Sequence, residues 1–241
     1  SVSQKALIFV ANFNSGSVSV IDALTYRETE KIEVGNGPVA VAADPPVEGV
    51  FGSRSLSAED ISAIRSFRQR NFYVYVANYH SHTISVLTVD NQTGRCREVV
   101  NVESGWNPIA LTVDYHKGKV YAANYNSDKI TVVDILKLIK GDAKGSVSTM
   151  NNLGMTITGI ISEAAFDRMY ILREKPGDIV IIRPVEDTGD TLKTFMPPVM
   201  GTMSAGQSPR SFILDPENRK FYVVNREANS VSVINKITRK E

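Results

Sequence analysis

The chain has 241 residues, enough for one large all-β domain or two smaller ones, and its 42% hydrophobic and 22% charged residues are ordinary for a globular protein. A formal net charge of +1 gives no overall field to draw in nucleic acid or an anionic membrane, and no apolar run reaches the roughly 18 to 20 residues of a membrane-spanning helix. The single cysteine, Cys96, excludes an internal disulfide.

No signal peptide is visible in Ser1-Val2-Ser3-Gln4-Lys5, which leads straight into a strand-like segment ending Phe9-Val10-Ala11-Asn12. A short polar stretch follows, then an alternating strand over Ser17 to Asp22 and an outer strand over Glu30 to Val34. Gly35 to Pro38 forms a turn, and Val39 to Ala43 opens a second unit as its inner strand. That unit continues, after an insertion over Val47 to Asn71, with Tyr75-Val76-Ala77-Asn78, Thr83 to Thr88 and an outer strand over Arg97 to Val102. The third unit runs from the turn Gly105 to Pro108 through Ile109 to Val113, Tyr121-Ala122-Ala123-Asn124, Lys129 to Asp134 and Ser146 to Met150. The fourth has a decayed turn at Gly154 to Ile157, then Tyr170-Ile171-Leu172-Arg173, Asp178 to Arg183 and an outer candidate over Leu192 to Met196. The fifth begins at Gly206 to Pro209 and holds Phe212 to Leu214, Tyr222-Val223-Val224-Asn225 and Ser230 to Asn235.

The spacing identifies these units as repeats. From the turn glycine to the Asn position the count is 19 at 105–124, 154–173 and 206–225, and 43 at 35–78, which is 19 plus an insertion of 24. Asn suits a strand end because it tolerates left-handed backbone and bonds locally, while Gly and Pro make a fixed turn that extends no ladder. Four-stranded antiparallel units recurring every 45 to 52 residues, the insertion aside, predict an all-β fold, a β-propeller with about five blades present.

Tyr75-Val76-Ala77-Asn78, Ser17-Val18-Ser19-Val20-Ile21-Asp22 and Val34-Gly35-Asn36-Gly37-Pro38 together resemble the YVTN repeat over essentially the whole chain outside the insertion. The resemblance implies an exported protein, periplasmic or extracellular as in surface layers, whose signal peptide lies outside this chain. Similar propellers occur in lactonase-like enzymes, in haem-binding nitrite reductase domains and as the haem-free subunit of hydrazine synthase. The strands number three, four, four, four and three by unit, because the first lacks its inner strand and the last its outer one. Residues 1–241 are therefore expected to form a single propeller domain, or most of one, within a seven-bladed ring; a closed five-bladed ring is the alternative.

Several groups are candidates for chemistry or binding. In the insertion, Ser57 is a predicted N-cap with Glu59 and Asp60 in the first turn, and Ile61, Ile64 and Phe67 form an apolar stripe beside Arg65 and Arg68. That helix either decorates a blade rim or docks a partner. His80 and His82 form a His-x-His pair without an identifiable third metal ligand, and Met196, Met200 and Met203 form a thioether cluster that packs or binds a soft metal. Cys96 lies between Arg95 and Arg97, which would lower its pKa, yet no matching base accompanies it. The fourth unit departs from its own pattern with Arg173 and Glu174, and the fifth adds Arg226 and Glu227 in the same loop and Arg210 after Pro209. In propellers such loops gather at the mouth of the central channel, so these five residues are the candidate anion- or partner-binding rim, with structural drift of the repeat as the other reading.

No covalent-haem, phosphate-loop, nucleophile-elbow or zinc-protease motif is present. The leading expectation is a non-catalytic scaffold that binds other protein subunits, in a surface assembly or as accessory subunit of a periplasmic redox complex, with no cofactor of its own. The alternatives are a lactonase-like hydrolase, for which Glu174, Glu227 and Arg210 are the available charged groups, and a propeller holding non-covalent haem or a metal in its channel.

Overall fold

A computed structural model describes residues 5–44, 56–184 and 194–240. The first sheet contains β1 (Leu7–Asn12), β2 (Ser17–Asp22) and β3 (Glu28–Glu33); the second contains β4 (Pro38–Ala43), β5 (Asn71–Asn78), β6 (Thr83–Asp90) and β7 (Cys96–Glu103). The third is built from β8 (Pro108–Asp114), β9 (Lys119–Asn124), β10 (Ile130–Asp134) and β11 (Val147–Met150). The fourth holds β12 (Ile157–Glu163), β13 (Arg168–Arg173) and β14 (Asp178–Ile182), with two further strands following, β15 (Thr194–Phe195) and β16 (Val199–Ser204). The fifth is β17 (Pro209–Asp215), β18 (Lys220–Asn225) and β19 (Ser230–Asn235). Within each blade, consecutive strands pair antiparallel. The architecture is a β-propeller.

One strand lies elsewhere than its sequence predicts. The outer strand of the fourth blade is β16, not Leu192 to Met196: residues 192–193 lie outside the described residues, and β15 pairs in parallel with β11 of the third blade. The reason is Pro197-Pro198, which lacks ladder donors and has fixed φ, so a strand against β14 starts only at Val199. β15 thereby extends the outer edge of the third blade.

The core lies between blades, as expected for sheets stacked on both faces. Val18 and Val20 meet Val74 and Val76, Tyr75 and Val86 meet Val120 and Val133, and Tyr170 and Leu172 meet Phe221 and Val223. The two terminal blades each leave one face uncovered, with Ile8 and Val10 exposed on the first and Ile213, Val224, Val231 and Val233 on the fifth.

Each repeat landmark has a physical task. The Asn closing the second strand of a blade donates its side-chain N–H to a hydroxyl seven residues on: Asn12 to Ser19, Asn78 to Ser85, Asn124 to Thr131 and Asn225 to Ser232, at 2.8 to 3.1 Å. The turn glycine lies against that same amide. A Cβ on Gly35, Gly105 or Gly206 would stand 2.7, 2.5 or 2.5 Å from the Asn nitrogen, so the glycine and the Asn are two halves of one staple. A third regularity governs the inner strands. β4, β8, β12 and β17 each carry a bulge at their second residue, occupied by Val39, Ile109, Thr158 and Arg210.

The insertion forms α1 (Ala58–Arg70), started by a capping box between Ser57 and Asp60; residues 45–55 lie outside the described residues. Its apolar stripe is turned inward. Ile64 is fully buried, Phe67 stacks on Tyr73 at 4.4 Å, and Arg68 pairs with buried Asp44 at 3.2 Å. Ile64, Phe67 and Arg68 are therefore engaged by the second blade, Ile61 is half-buried, and Arg65 alone of the five docking candidates is exposed. The apolar stripe of α1 is thus accounted for by packing within the chain, and Arg65 stands on its outer side.

Candidate functional site

The loops after each Asn and the turns before each inner strand occupy one end of the blades. They are tied together by a repeated bond from the residue after the Asn to the residue before the Pro position: Tyr79 N–H to Gly37, Tyr125 to Asn107, Glu174 to Thr156 and Arg226 to Ser208, at 2.8 to 3.0 Å. Gly37, Asn107, Thr156 and Ser208 all have φ between 51° and 66°. Gly and Asn accept that conformation readily, whereas a β-branched Thr is strained in it.

Around this end the residues following the Asn positions place a charged centre across three blades. Glu174, buried, accepts a hydrogen bond from the Tyr125 hydroxyl of the third blade, from Ser208 Oγ at 2.8 Å and from Arg226 Nη2 at 3.1 Å, both of the fifth. The Arg210 guanidinium lies over the Tyr125 ring, 5.4 Å from its centroid, and Arg210 also lines a cavity of about 440 Å3 between the inner strands. That cavity is otherwise walled by small or apolar residues such as Ala40, Ala110 and Gly159. Arg210 reaches it because it holds the bulge position, and a bulge re-aims the side chain it carries. The other three bulges carry Val39, Ile109 and Thr158, so this one alone brings charge to the cavity.

The electrostatics follow from these contacts. The Tyr125 hydrogen bond, with help from Ser208, Arg226 and Arg210, holds the Glu174 carboxyl below the usual range, and the same bond raises the Tyr125 phenol. Glu174 is ionised and Tyr125 protonated at neutral pH. Two guanidinium groups against one carboxylate leave an excess positive charge, and Arg226 is 57% exposed, with donors free to face a ligand.

Of the five rim candidates the structure brings together Glu174, Arg210 and Arg226. Arg173 stands apart. It grips Asp178 with both prongs, at 2.8 and 2.6 Å, and donates to the Leu153 carbonyl, so it replaces the Asn staple of the other blades and is not an anion-facing group. Glu227 is exposed and joins none of these contacts. Tyr125 and Ser208 complete the centre without having been singled out in the sequence. Their signal was weak: Tyr125 follows Asn124 as Tyr79 follows Asn78, and its bond to Glu174 spans 49 residues.

The remaining candidates fall elsewhere. His82 accepts the Asn107 N–H on Nδ1 at 3.1 Å and packs on Trp106, while His80 packs between Phe13 and Tyr79. Met203 is buried in the core, whereas Met196 and Met200 are exposed. Cys96 is buried, and burial pushes its thiol up to about 12 rather than down, with Glu30 adding to the effect. Among the described residues no group of three or more His, Cys, Asp or Glu side chains is placed to hold a metal ion, and no helix is long and apolar enough to cross a membrane.

Comparison with known proteins agrees with the fold. The family described as lactonase, 7-bladed beta-propeller, matches residues 68–155, from the end of α1 to the turn before the fourth blade. A functionally unknown protein from Desulfotomaculum acetoxidans DSM 771 superposes with a TM-score of 0.67 at 12% identity, over 98% of this chain and 66% of its own. The dihydro-heme d1 dehydrogenase NirN superposes with a TM-score of 0.58 at 14% identity, over 99% of this chain and 43% of its own. A candidate 6-phosphogluconolactonase from Bacteroides uniformis ATCC 8492 gives 0.65 at 14% identity, over 98% and 66%. The chain thus spans at most 66% of the length of these structures. No curated protein matches it in sequence. At such identities the likeness concerns the fold, and function has to be argued from the site.

Proposed function

We propose that this chain is part of a lactonase-like propeller that takes a small anionic cyclic ester, of the sugar-acid lactone class, at the mouth of its central channel and hydrolyses it. The observation that carries the reading is Arg210, which brings the one charged bulge of the inner strands to the cavity between them, while its guanidinium also lies over Tyr125, in the Glu174 centre that holds the half-exposed Arg226. The lactonase family match over residues 68–155 supports the reaction class. In this reading Arg210 and Arg226 receive the anionic group, and Glu174 fixes the orientation of Tyr125 and Arg226. Water adds to the ester carbonyl, the ring C–O bond breaks, and one proton is released for each acid formed.

Proton release from 6-phosphogluconolactone and from unphosphorylated gluconolactone tests this directly. The expected result is opening faster than the spontaneous rate, greater for the phosphorylated compound, and lost in Arg210→Ala with the fold retained. No acceleration by the unaltered chain, together with no calorimetric binding of the ring-opened acids, overturns it.

A further inference from the structure

At the same end of the blades but toward their outer strands, the second and third blades flank a groove made of two adjoining cavities, of about 650 and 530 Å3, which share Glu103, Val147 and Thr149. Each is within the usual size of a small-molecule site, about 300 to 1,000 Å3, and together they form an elongated trough. Trp106 stands at one end. Its indole is 65% exposed, yet it is held in place: it packs on the His82 ring at 4.4 Å, and His82 is itself fixed by the Asn107 N–H at 3.1 Å. An exposed aromatic face supported from behind is a platform that pays no ordering cost when a ligand stacks on it.

The groups around the platform are of both signs. Glu103, Asp128 and Lys129 line the larger cavity, and among the described residues none of the three is in an ion pair. Lys144 lines the smaller cavity, so along the trough two carboxylates accept from hydroxyls and two ammonium groups donate to them, with no net charge that would select a strong anion. Thr149 adds a hydroxyl where the two cavities join. An aromatic face beside alternating acceptors and donors, along a trough longer than one ring, matches a pyranose chain, whose rings have an apolar C–H face and a hydroxyl edge. The geometry points to a binding site for an uncharged oligosaccharide between the outer strands of the second and third blades, with Trp106 as its stacking platform and Asp128 and Lys129 holding hydroxyls.

Trp106 is the only tryptophan of the chain, so its fluorescence reports this groove directly. The unaltered protein is titrated with cello- and chito-tetraose up to about 10 mM, with choline and an extended neutral peptide as competing classes. The expected result is a saturable change in intensity or wavelength with at least one tetraose. By calorimetry, binding is weakened about threefold or more in Asp128→Asn and about tenfold or more in Trp106→Ala. Arg210→Ala, at the channel mouth, leaves it unchanged, which keeps this site separate from the proposed lactone site. No saturable change with either sugar, a response to choline or the peptide instead, or undiminished sugar binding by a folded Trp106→Ala variant overturns the assignment.

Discussion

Arg173 grips Asp178 through two hydrogen bonds of 2.8 and 2.6 Å, at the place in the fourth blade where an Asn and a hydroxyl close the hairpin in the other four. The pair is 19% and 15% exposed, so removing the guanidinium leaves a carboxylate with little water to compensate it. Arg173→Ala is expected to cost about 2 kcal/mol in urea denaturation. The triple substitution Arg173→Asn, Asp178→Ser and Val180→Ser removes that carboxylate, restores the seven-residue spacing of the other blades and is expected to recover part of that loss. An Arg173→Ala variant as stable as the parent would remove the staple assignment.

The glycine half of the staple is testable by a single methyl group. Gly105 has an ordinary φ, so Gly105→Ala adds no backbone strain, but its Cβ would stand 2.5 Å from Asn124 Nδ2 and 3.2 Å from Asn124 Cβ. Asn124 is buried and bonded to Thr131 and to the Lys129 carbonyl, so it has nowhere to retreat. The expected loss is about 2 kcal/mol or more by thermal or urea unfolding, in the range of overpacked core positions.

These two staples explain why the blades were readable in the sequence. Both partners sit at fixed separations within one repeat, so Gly-x-x-Pro and the Asn position reproduce the same spacing each time. The failures have physical causes too. Leu192 to Met196 reads as an outer strand by composition, but Pro197-Pro198 moves the pairing to Val199–Ser204. Glu174, Arg210 and Arg226 stood out because charge replaces the expected residue at a repeat position. Tyr125 and Ser208 did not, because a Tyr and a Ser are unremarked in such loops and their contact with Glu174 joins three blades.

The insertion helix separates packing from docking. Ile64 is fully buried against the second and third blades, whereas Arg65, one residue on, is exposed. Ile64→Ala is expected to destabilise by about 2 to 4 kcal/mol, and Arg65→Glu to stay within about 0.5 kcal/mol, in paired denaturation curves.

Cys96 gives a prediction opposite to the one its arginine neighbours invite. Burial pushes the thiol up to about 12 and Glu30 adds to it, so almost none is thiolate at pH 8. A disulfide reagent such as dithionitrobenzoate is expected to label the native protein only at the rate of unfolding, and fully in denaturant. Fast stoichiometric labelling of the folded chain would show that the thiol is reachable.

The Glu174 centre makes stability depend on acid. Its folded pKa lies below the ordinary carboxyl value of 4.5, chiefly through the Tyr125 hydrogen bond, so the ionised form is the one the fold favours. That contribution is fully present above pH 4.5 and is lost as pH falls through the lower folded value. Glu174→Gln removes the charge at every pH and so has no such titration. The unaltered protein is expected to unfold at a higher temperature than Glu174→Gln at pH 7, with the gap closing steadily below pH 4.5. Tyr125→Phe should shrink the same gap, because it removes the largest cause of the depressed pKa. Equal melting temperatures for parent and Glu174→Gln from neutral to acid pH would mean that the carboxylate gains nothing from Tyr125, Ser208 and Arg226, and the three-blade centre would fall with it.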